Sequence, residues 1–495
     1  MSITSETSIV GLIVLAAFMI LGWGFYRARP YGKLGIIAWL QSVVLMAPWL
    51  LFFGSFAAGI YINIVGILFL LVASAAVYIF LGRQLRAAGQ DAILRSRATE
   101  RLANATQANT QTEETTPPAQ LQPEVVPIAD ADLTAIRSIF GVDTFFATET
   151  IPYQEGIIFR GNLRGEPEAV FQKLNSNLQQ QLGDRYRLFL VENLDGKPVV
   201  IVLPSRNDPQ PTTVPQTILA IALLVATIAT CLEAGGILLG FDFFTNWQRF
   251  SEPLPIAAGI LAVLLTHELG HRLIARRYQV RLSPPFFLPT LQIGAFGAIT
   301  RFQSILPNRK VLFDVAFAGP AFGGVLSFVI LILGLLLSRS ESLFQVPTEF
   351  FQGSILVGTI ARVILGSALQ QNIVAVHPLT VIGWLGLVIT ALNLMPAGQL
   401  DGGRIVQAIY GRKTAGRATI ATLIVLAIAS FANPLALYWA VVIVFLQRDL
   451  ERPSQNELSE PDDARAALGL LALFLMVATL LPLTPALAGR LGIGG

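Results

Sequence analysis

Cysteine occurs once in 495 residues, at Cys231, and histidine three times, at His267, His271 and His377. A single cysteine inside an apolar stretch excludes a disulfide framework and any cysteine-based zinc site. Charge is also scarce. Asp, Glu, Lys and Arg make up 13% of the chain, against about 25% in soluble domains. The net charge of +3 is too small to argue for a nucleic-acid partner, and none is expected. Apolar residues fill the space, at 54% of the chain with a mean hydropathy of +0.63. The bilayer is therefore the expected solvent.

Apolar runs of about 18 residues or more are candidate membrane spans. They cover Ile9–Tyr26, Leu34–Phe53, Gly59–Leu81, Val214–Ala234, Leu254–Ala275, Leu312–Leu337, Thr380–Met395 and Ala466–Leu487. Ala418–Gln447 reads as a further hairpin broken at Asn433-Pro434, and Gly353–Ala368 as either a span or an interfacial helix. The expectation is a polytopic α-helical membrane protein of about eight to ten spans. Arginines follow the first span (Arg27, Arg29), the third (Arg83, Arg86) and the fifth (Arg276, Arg277, Arg281), and more cluster at Arg404, Arg412 and Arg417. By the positive-inside rule these loops face the cytoplasm.

Residues 1–83 thus form an N-terminal three-helix region, and 84–127 a flexible linker whose Ala98–Pro127 part is rich in Thr, Gln, Pro and Ala. Residues 128–205 read as a small soluble α+β domain inserted between the third span and the membrane core. Helices are expected over Asp130–Phe140, capped by Asp130 or Asp132, and over Glu166–Leu182. Strand-like residues fill 143–161, and Tyr186–Glu192 with Pro198–Leu203 form a hairpin around Asp195-Gly196. Residues 214–447 form the membrane core, and 448–495 a cytoplasmic loop and the last transmembrane helix.

Within that core stands His267-Glu268-Leu269-Gly270-His271, preceded by the uncharged run Ile256–Thr266. Imidazoles four residues apart share one helix face and can reach one metal ion, and Glu268 between them can contact a water bound to it. H-E-x-x-H reads as two zinc ligands plus a general base. Burying two His and a Glu in a span costs several kcal/mol unless they find partners, which a metal supplies. Arg272 is expected at the cytoplasmic boundary rather than on Glu268. A third protein ligand is needed, and His377 and Asp401 are the leading candidates. Asp401 ends Asn393-Leu-Met-Pro-Ala-Gly-Gln-Leu-Asp401, and the following Gly402 and Gly403 allow close backbone packing. Its blander use is to cap the next helix; His377, before Pro378, has the same alternative.

The pairing of HELGH with NLMPAGQLDGG resembles the site-2 protease family of intramembrane zinc metalloproteases. The resemblance covers about residues 214–445 and implies that His267, His271 and Asp401 hold Zn2+ while Glu268 is the catalytic base. It also implies hydrolysis of peptide bonds in or near transmembrane helices of membrane-protein substrates. Asn393 matches a family asparagine expected to donate to the substrate carbonyl. Pro284–Gly297 is similar to the family's membrane-embedded hairpin, and Ala318–Gly324 to its Gly-Pro helix, here with glycines where many members carry Asn. Gly161-Asn-Leu-Arg-Gly165 looks like the signature of the plastid and cyanobacterial EGY-type branch. The bland reading of its glycines is a strand-to-helix turn. No transit peptide precedes the first span, which with that likeness points to a cyanobacterial plasma or thylakoid membrane. The alternative function is a non-catalytic scaffold or chaperone on the same frame. A transporter would need more intramembrane acids or histidines than these spans contain.

Overall fold

A computed structural model describes residues 128–493 apart from 154, 194, 195, 432 and 448, together with 32–57 and scattered positions between 22 and 84. The expected first and third spans and the 84–127 linker lie outside the described residues, wholly or for the most part. Two units are distinguished. The smaller includes α1 (Gly32–Ala57) and residues Ala421–Arg448, and the larger comprises Val125–Ile420 and Asp449–Gly495. Residues 421–448 thus group with α1, and 449–495 with the unit that holds the HELGH motif.

The α+β module opens the larger unit with α2 (Asp130–Ser138), β1 (Phe145–Tyr153), β2 (Gly156–Leu163), α3 (Pro167–Leu182), β3 (Tyr186–Glu192) and β4 (Pro198–Pro204). The four strands form one antiparallel sheet in the order β1-β2-β4-β3. Val170, Leu174, Leu178 and Leu182 recur every four residues on α3, so one helix stripe is buried. Alternate strand residues meet it, among them Phe159, Leu188, Leu190, Val200 and Val202. Neither Asp130 nor Asp132 caps α2. Ala129 holds that position without a side-chain bond, and Asp132 instead accepts from Arg185 and from the Tyr186 hydroxyl. Both ends of the Gly161–Gly165 motif need glycine. A Cβ at Gly161 would lie 2.1 Å from the Phe146 carbonyl oxygen, beside a register shift, and Gly165 has φ +105° in the turn to α3.

The membrane part follows with α4 (Val214–Leu238), α5 (Leu254–Arg277), the hairpin β5 (Phe286–Thr290) and β6 (Gly294–Ile299), and α6 (Arg309–Leu337). Then come β7 (Phe344–Pro347), α7 (Ile355–Leu365), β8 (Ile373–Val376), α8 (Pro378–Asn393), α9 (Asp401–Ala429, non-helical at Gly411), α10 (Pro434–Val442), α11 (Asp463–Leu480) and α12 (Pro485–Leu491). Among the described residues four helices are long and apolar enough to cross a membrane: α4, α5, α6 and α11. The run Thr380–Met395, expected as a span, and Gly353–Ala368, read as either a span or an interfacial helix, both form short helices. The 11 residues of α7 reach only about 16 Å and the 16 of α8 about 24 Å, against a hydrocarbon core of about 30 Å. The last apolar run does not continue to Leu487 as one helix. It stops at Leu480, before Pro482, and turns into α12. The outward faces carry Ile218, Leu219 and Val225 on α4 and Val325, Val329 and Leu336 on α6, an exterior suited to lipid.

α6 is the central strut, packed most extensively against α5 and α8. Gly334, Gly383 and Gly386 let backbones meet closely along the α6–α8 seam. A segment without regular structure, residues 449–462, straps the module to this body. Leu190 of β3 donates to Gln455 and accepts from Glu457, while Gln455 and Asn456 donate to Leu306 and Pro307 just ahead of α6. Arg309 is buried beneath, donating to the carbonyls of Ala408, Ile409 and Glu457.

Burial pushes the Glu457 carboxyl above its ordinary range, outweighing its Ser454 hydrogen bonds and the nearby Arg412 and Arg309. A carboxyl raised in the folded state favours folding at low pH, and that contribution fades as pH climbs through the raised value. Thermal unfolding of the detergent-solubilised protein should therefore show a falling midpoint above the usual carboxylate range, and Glu457→Gln should flatten that fall. A variant that melts below wild type at about pH 8 would contradict this account.

Candidate metal centre and active site

The second half of α5 carries the motif. His267 and His271 lie one turn apart, and their Nε2 atoms are 3.2 Å from each other. Asp401, the first residue of α9 and 134 positions downstream of His267, brings Oδ2 to 3.1 Å from His267 Nε2 and 3.4 Å from His271 Nε2. All three residues are buried. His271 Nδ1 is 2.7 Å from the Val315 carbonyl oxygen. A carbonyl only accepts, so Nδ1 carries the proton and Nε2 presents a lone pair to the cluster.

The spacing fits a tetrahedral zinc. Ligand atoms about 2.0–2.1 Å from such an ion lie about 3.3–3.4 Å from one another. The floor is built to match: a Cβ on Gly319 of α6 would stand 2.2 Å from His271 Nε2 and 2.7 Å from His267 Nε2. Only a glycine leaves that space free. Gly323, one turn on, meets the His267 side chain with similar closeness. The Gly-Pro helix thus forms the wall of the cluster as well as packing against other helices. His377 is not part of it. It caps α8, with Nδ1 accepting from the Leu379 N–H.

Glu268 shares the cluster, with ligand-type atoms of His267, Glu268 and His271 all within 4.8 Å of one another. Arg272, expected at the boundary, instead turns back to Glu268 at 2.9 Å and also donates to the Ser283 carbonyl. A buried carboxylate is costly without a counter-charge, which is why this arginine does not reach for water. The Thr300 hydroxyl donates to the same Glu268 oxygen at 2.8 Å. Thr300 is itself held: Arg404 donates to its carbonyl at 2.8 Å and pairs with buried Glu451 at 2.9 Å. Arg404 Nη1 also stands 3.9 Å from Asp401 Oδ1, and the guanidinium covers the Phe302 ring. Thr300, Arg404 and Glu451 were not singled out in the sequence for this role, since no spacing links residues so far apart. Only Arg404, adjacent to the Asp-Gly-Gly motif, offered a hint.

Asn393 sits at the end of α8 against the hairpin. Its amide donates to the Phe296 carbonyl of β6 at 3.0 Å and to Ile389 of its own helix at 2.8 Å. Both of its N–H groups are thus engaged, tying β6 to α8. Gly297 admits this contact, since a Cβ there would collide with the Asn393 side chain.

A buried His-Glu-His group that can hold zinc, closed by a distant aspartate, defines a metallopeptidase. Residues 255–432, which contain all four groups, match the family described as Peptidase family M50, and residues 134–211 match the EGY3 middle domain. A rice protein (Oryza sativa subsp. japonica) named probable zinc metalloprotease EGY1, chloroplastic, is 38% identical over 74% of this chain and 70% of its own length. Its Arabidopsis thaliana namesake is 39% identical, over 76% and 75%. Arabidopsis EGY2, also named a probable chloroplastic zinc metalloprotease, is 39% identical over 71% of this chain, which spans 65% of it, just under two thirds. No solved structure matches. The chain belongs to the M50 family of zinc metalloproteases, among its EGY members.

Two outcomes test this geometry. Gly319→Ala should lower zinc affinity by about 100-fold or more, read by metal analysis of the purified protein. Gly324→Ala on the same helix should not, because its nearest neighbour is 3.4 Å away. Equal zinc in both variants would show that the Gly319 gap is irrelevant. Separately, Arg404→Met should destabilise the fold by about 3–5 kcal/mol by stranding Glu451, and adding Glu451→Met should recover most of it. Chemical unfolding of the three variants measures this; a double variant as unstable as the single one would argue against the pair.

Proposed function

We propose that this chain hydrolyses peptide bonds in or beside transmembrane helices of membrane-protein substrates. His267, His271 and Asp401 would hold zinc and Glu268 would act as the general base. The observation that carries the reading is the convergence of Asp401 on two imidazoles of a helix whose exposed side is apolar. Bound zinc lowers the pKa of a water and polarises the scissile carbonyl. Everything else falls to the protein. Glu268 accepts the proton of the attacking water and returns it to the leaving amine. Thr300 and Arg272 hold its carboxylate in one orientation, and the Val315 carbonyl fixes the His271 tautomer. The β5–β6 hairpin offers extended backbone to an unwound substrate. Asn393 would serve by fixing β6 at Phe296, with substrate backbone as a competitor for that donor. Arg276, Arg277 and Arg281 follow the motif within about two or three turns, so the site would open, and admit water, on the cytoplasmic side.

Glu268→Gln should retain zinc while cleavage falls by about 10²- to 10⁴-fold. The measurement is membrane proteomics of cells carrying either form, looking for transmembrane fragments that persist in the variant, with zinc content determined in parallel. Undiminished cleavage by a zinc-loaded variant would remove Glu268 from the chemistry. A zinc-loaded wild type that cleaves nothing would leave the scaffold reading.

A further inference from the structure

The sheet of the α+β module has two unlike faces. One is covered by α2 and α3. The other carries Ile151, Ile158, Ile201 and Phe189, none fully buried. Strand register sets them in one row: Ile151 is opposite Ile158, Ile158 opposite Ile201, and Ile201 opposite Phe189. An unbroken apolar ridge therefore crosses all four strands on the face that no helix of the module covers.

That face borders a cleft of about 1680 Å³, whose far wall includes residues 301–306 and 411–413. Small-molecule sites occupy about 300–1,000 Å³, so this space suits a polypeptide better. The wall begins one residue after Thr300, whose hydroxyl binds Glu268. Its charge is one-sided. The side chains of Arg301, Lys413 and Arg452 line it with no carboxylate partner among the described residues, Arg452 donating only to the Asn207 carbonyl. Of the lining acids, Asp208 and Glu451 are bound to arginines and Glu457 is buried on Ser454, which leaves only exposed Glu192.

We propose that this cleft binds an extended acidic peptide with interspersed apolar residues, the water-exposed segment flanking a substrate's transmembrane helix. Its apolar side chains lie on the Ile151–Phe189 row and its carboxylates face Arg301, Lys413 and Arg452. The identity of the peptide as substrate rests on the proteolytic reading above; the binding chemistry does not.

The test uses the full-length Glu268→Gln protein in phosphatidylcholine nanodiscs, so that binding is read without cleavage. The probe is a fluorescein-labelled twelve-residue peptide of alternating glutamate and valine, compared with its lysine–valine counterpart. The acidic probe should bind at least about tenfold tighter, and less tightly as salt rises. A photoreactive group at its centre should label the module's β3–β4 strands or residues 301–306. Lys413→Glu with Arg452→Glu, both exposed, should weaken binding by about tenfold with zinc content unchanged. Equal binding of the two probes, labelling elsewhere, or an unaffected double variant would overturn the proposal. So would displacement of the acidic probe by phosphatidylserine vesicles without any cross-link to the module, which would mark a lipid-headgroup site. Loss of proteolysis alone leaves these readouts unchanged, so the two readings fail separately.

Discussion

Three lone pairs must be held about 3 Å apart in an interior where water cannot separate them, and the rest of the core answers to that requirement. Two come from adjacent turns of one helix, so their spacing is a property of the α-helix itself. The third has to be delivered from 134 positions away, and no local rule delivers it. Delivery depends on how α9 begins. Gly402 would place a Cβ 1.8 Å from the Leu394 carbonyl oxygen, so only glycine lets the chain fold back tightly enough after α8 to aim Asp401 at the imidazoles. On the opposite side Gly319 leaves room for an ion. Glycines at these two points limit how near the surrounding backbone can come.

The second consequence is electrostatic. Two carboxylates, Asp401 and Glu268, are buried in one apolar body, and isolated charges there would be prohibitive. Each has an arginine nearby, Arg404 beside Asp401 and Arg272 on Glu268. Arg404 does more than compensate charge, because it also holds the Thr300 carbonyl and Glu451. Glu451 lies in the strap, which pairs with β3 of the α+β module through Gln455 and Glu457. Hydrogen bonds from Glu268 through Thr300 and Arg404 to Glu451, continued by the covalent backbone of the strap, therefore reach the module's sheet at Leu190. That gives the module a physical connection to the His267–His271–Asp401 cluster, in addition to the cleft between them.

Much of this was legible from residue order alone. The H-E-x-x-H spacing, the apolar run ahead of it and the Asp-Gly-Gly motif each carry local information, because helix period and side-chain chemistry suffice to interpret them. The helices and the β3–β4 hairpin of residues 130–204 were likewise readable, from amphipathic character and a turn dipeptide, while 143–161 read as strand-like without its division into β1 and β2. Misreadings arose where tertiary demand overrode local preference. Arg272 was expected to seek water, yet a buried carboxylate one turn away held it. Asp130 or Asp132 was expected to cap a helix, yet neither does, and Tyr186 and Arg185 claim Asp132. Hydrophobicity alone carried the last span on to Leu487, although α11 ends at Leu480, two residues before Pro482.

The sequence by itself determined the reactive groups, two of their mutual positions and the solvent in which they sit, since these follow from helix geometry and apolar content. Spacing along the chain left Asp401 and His377 both open, and although the family resemblance pointed to Asp401, its place against the two imidazoles is a property of the tertiary structure. The tertiary structure also decided which arginine neutralises which acid, and which face of the module's sheet stays open. The reason is the same in each case. These outcomes depend on contacts between residues tens to hundreds of positions apart, whose energies are settled by burial and shape rather than by spacing along the chain.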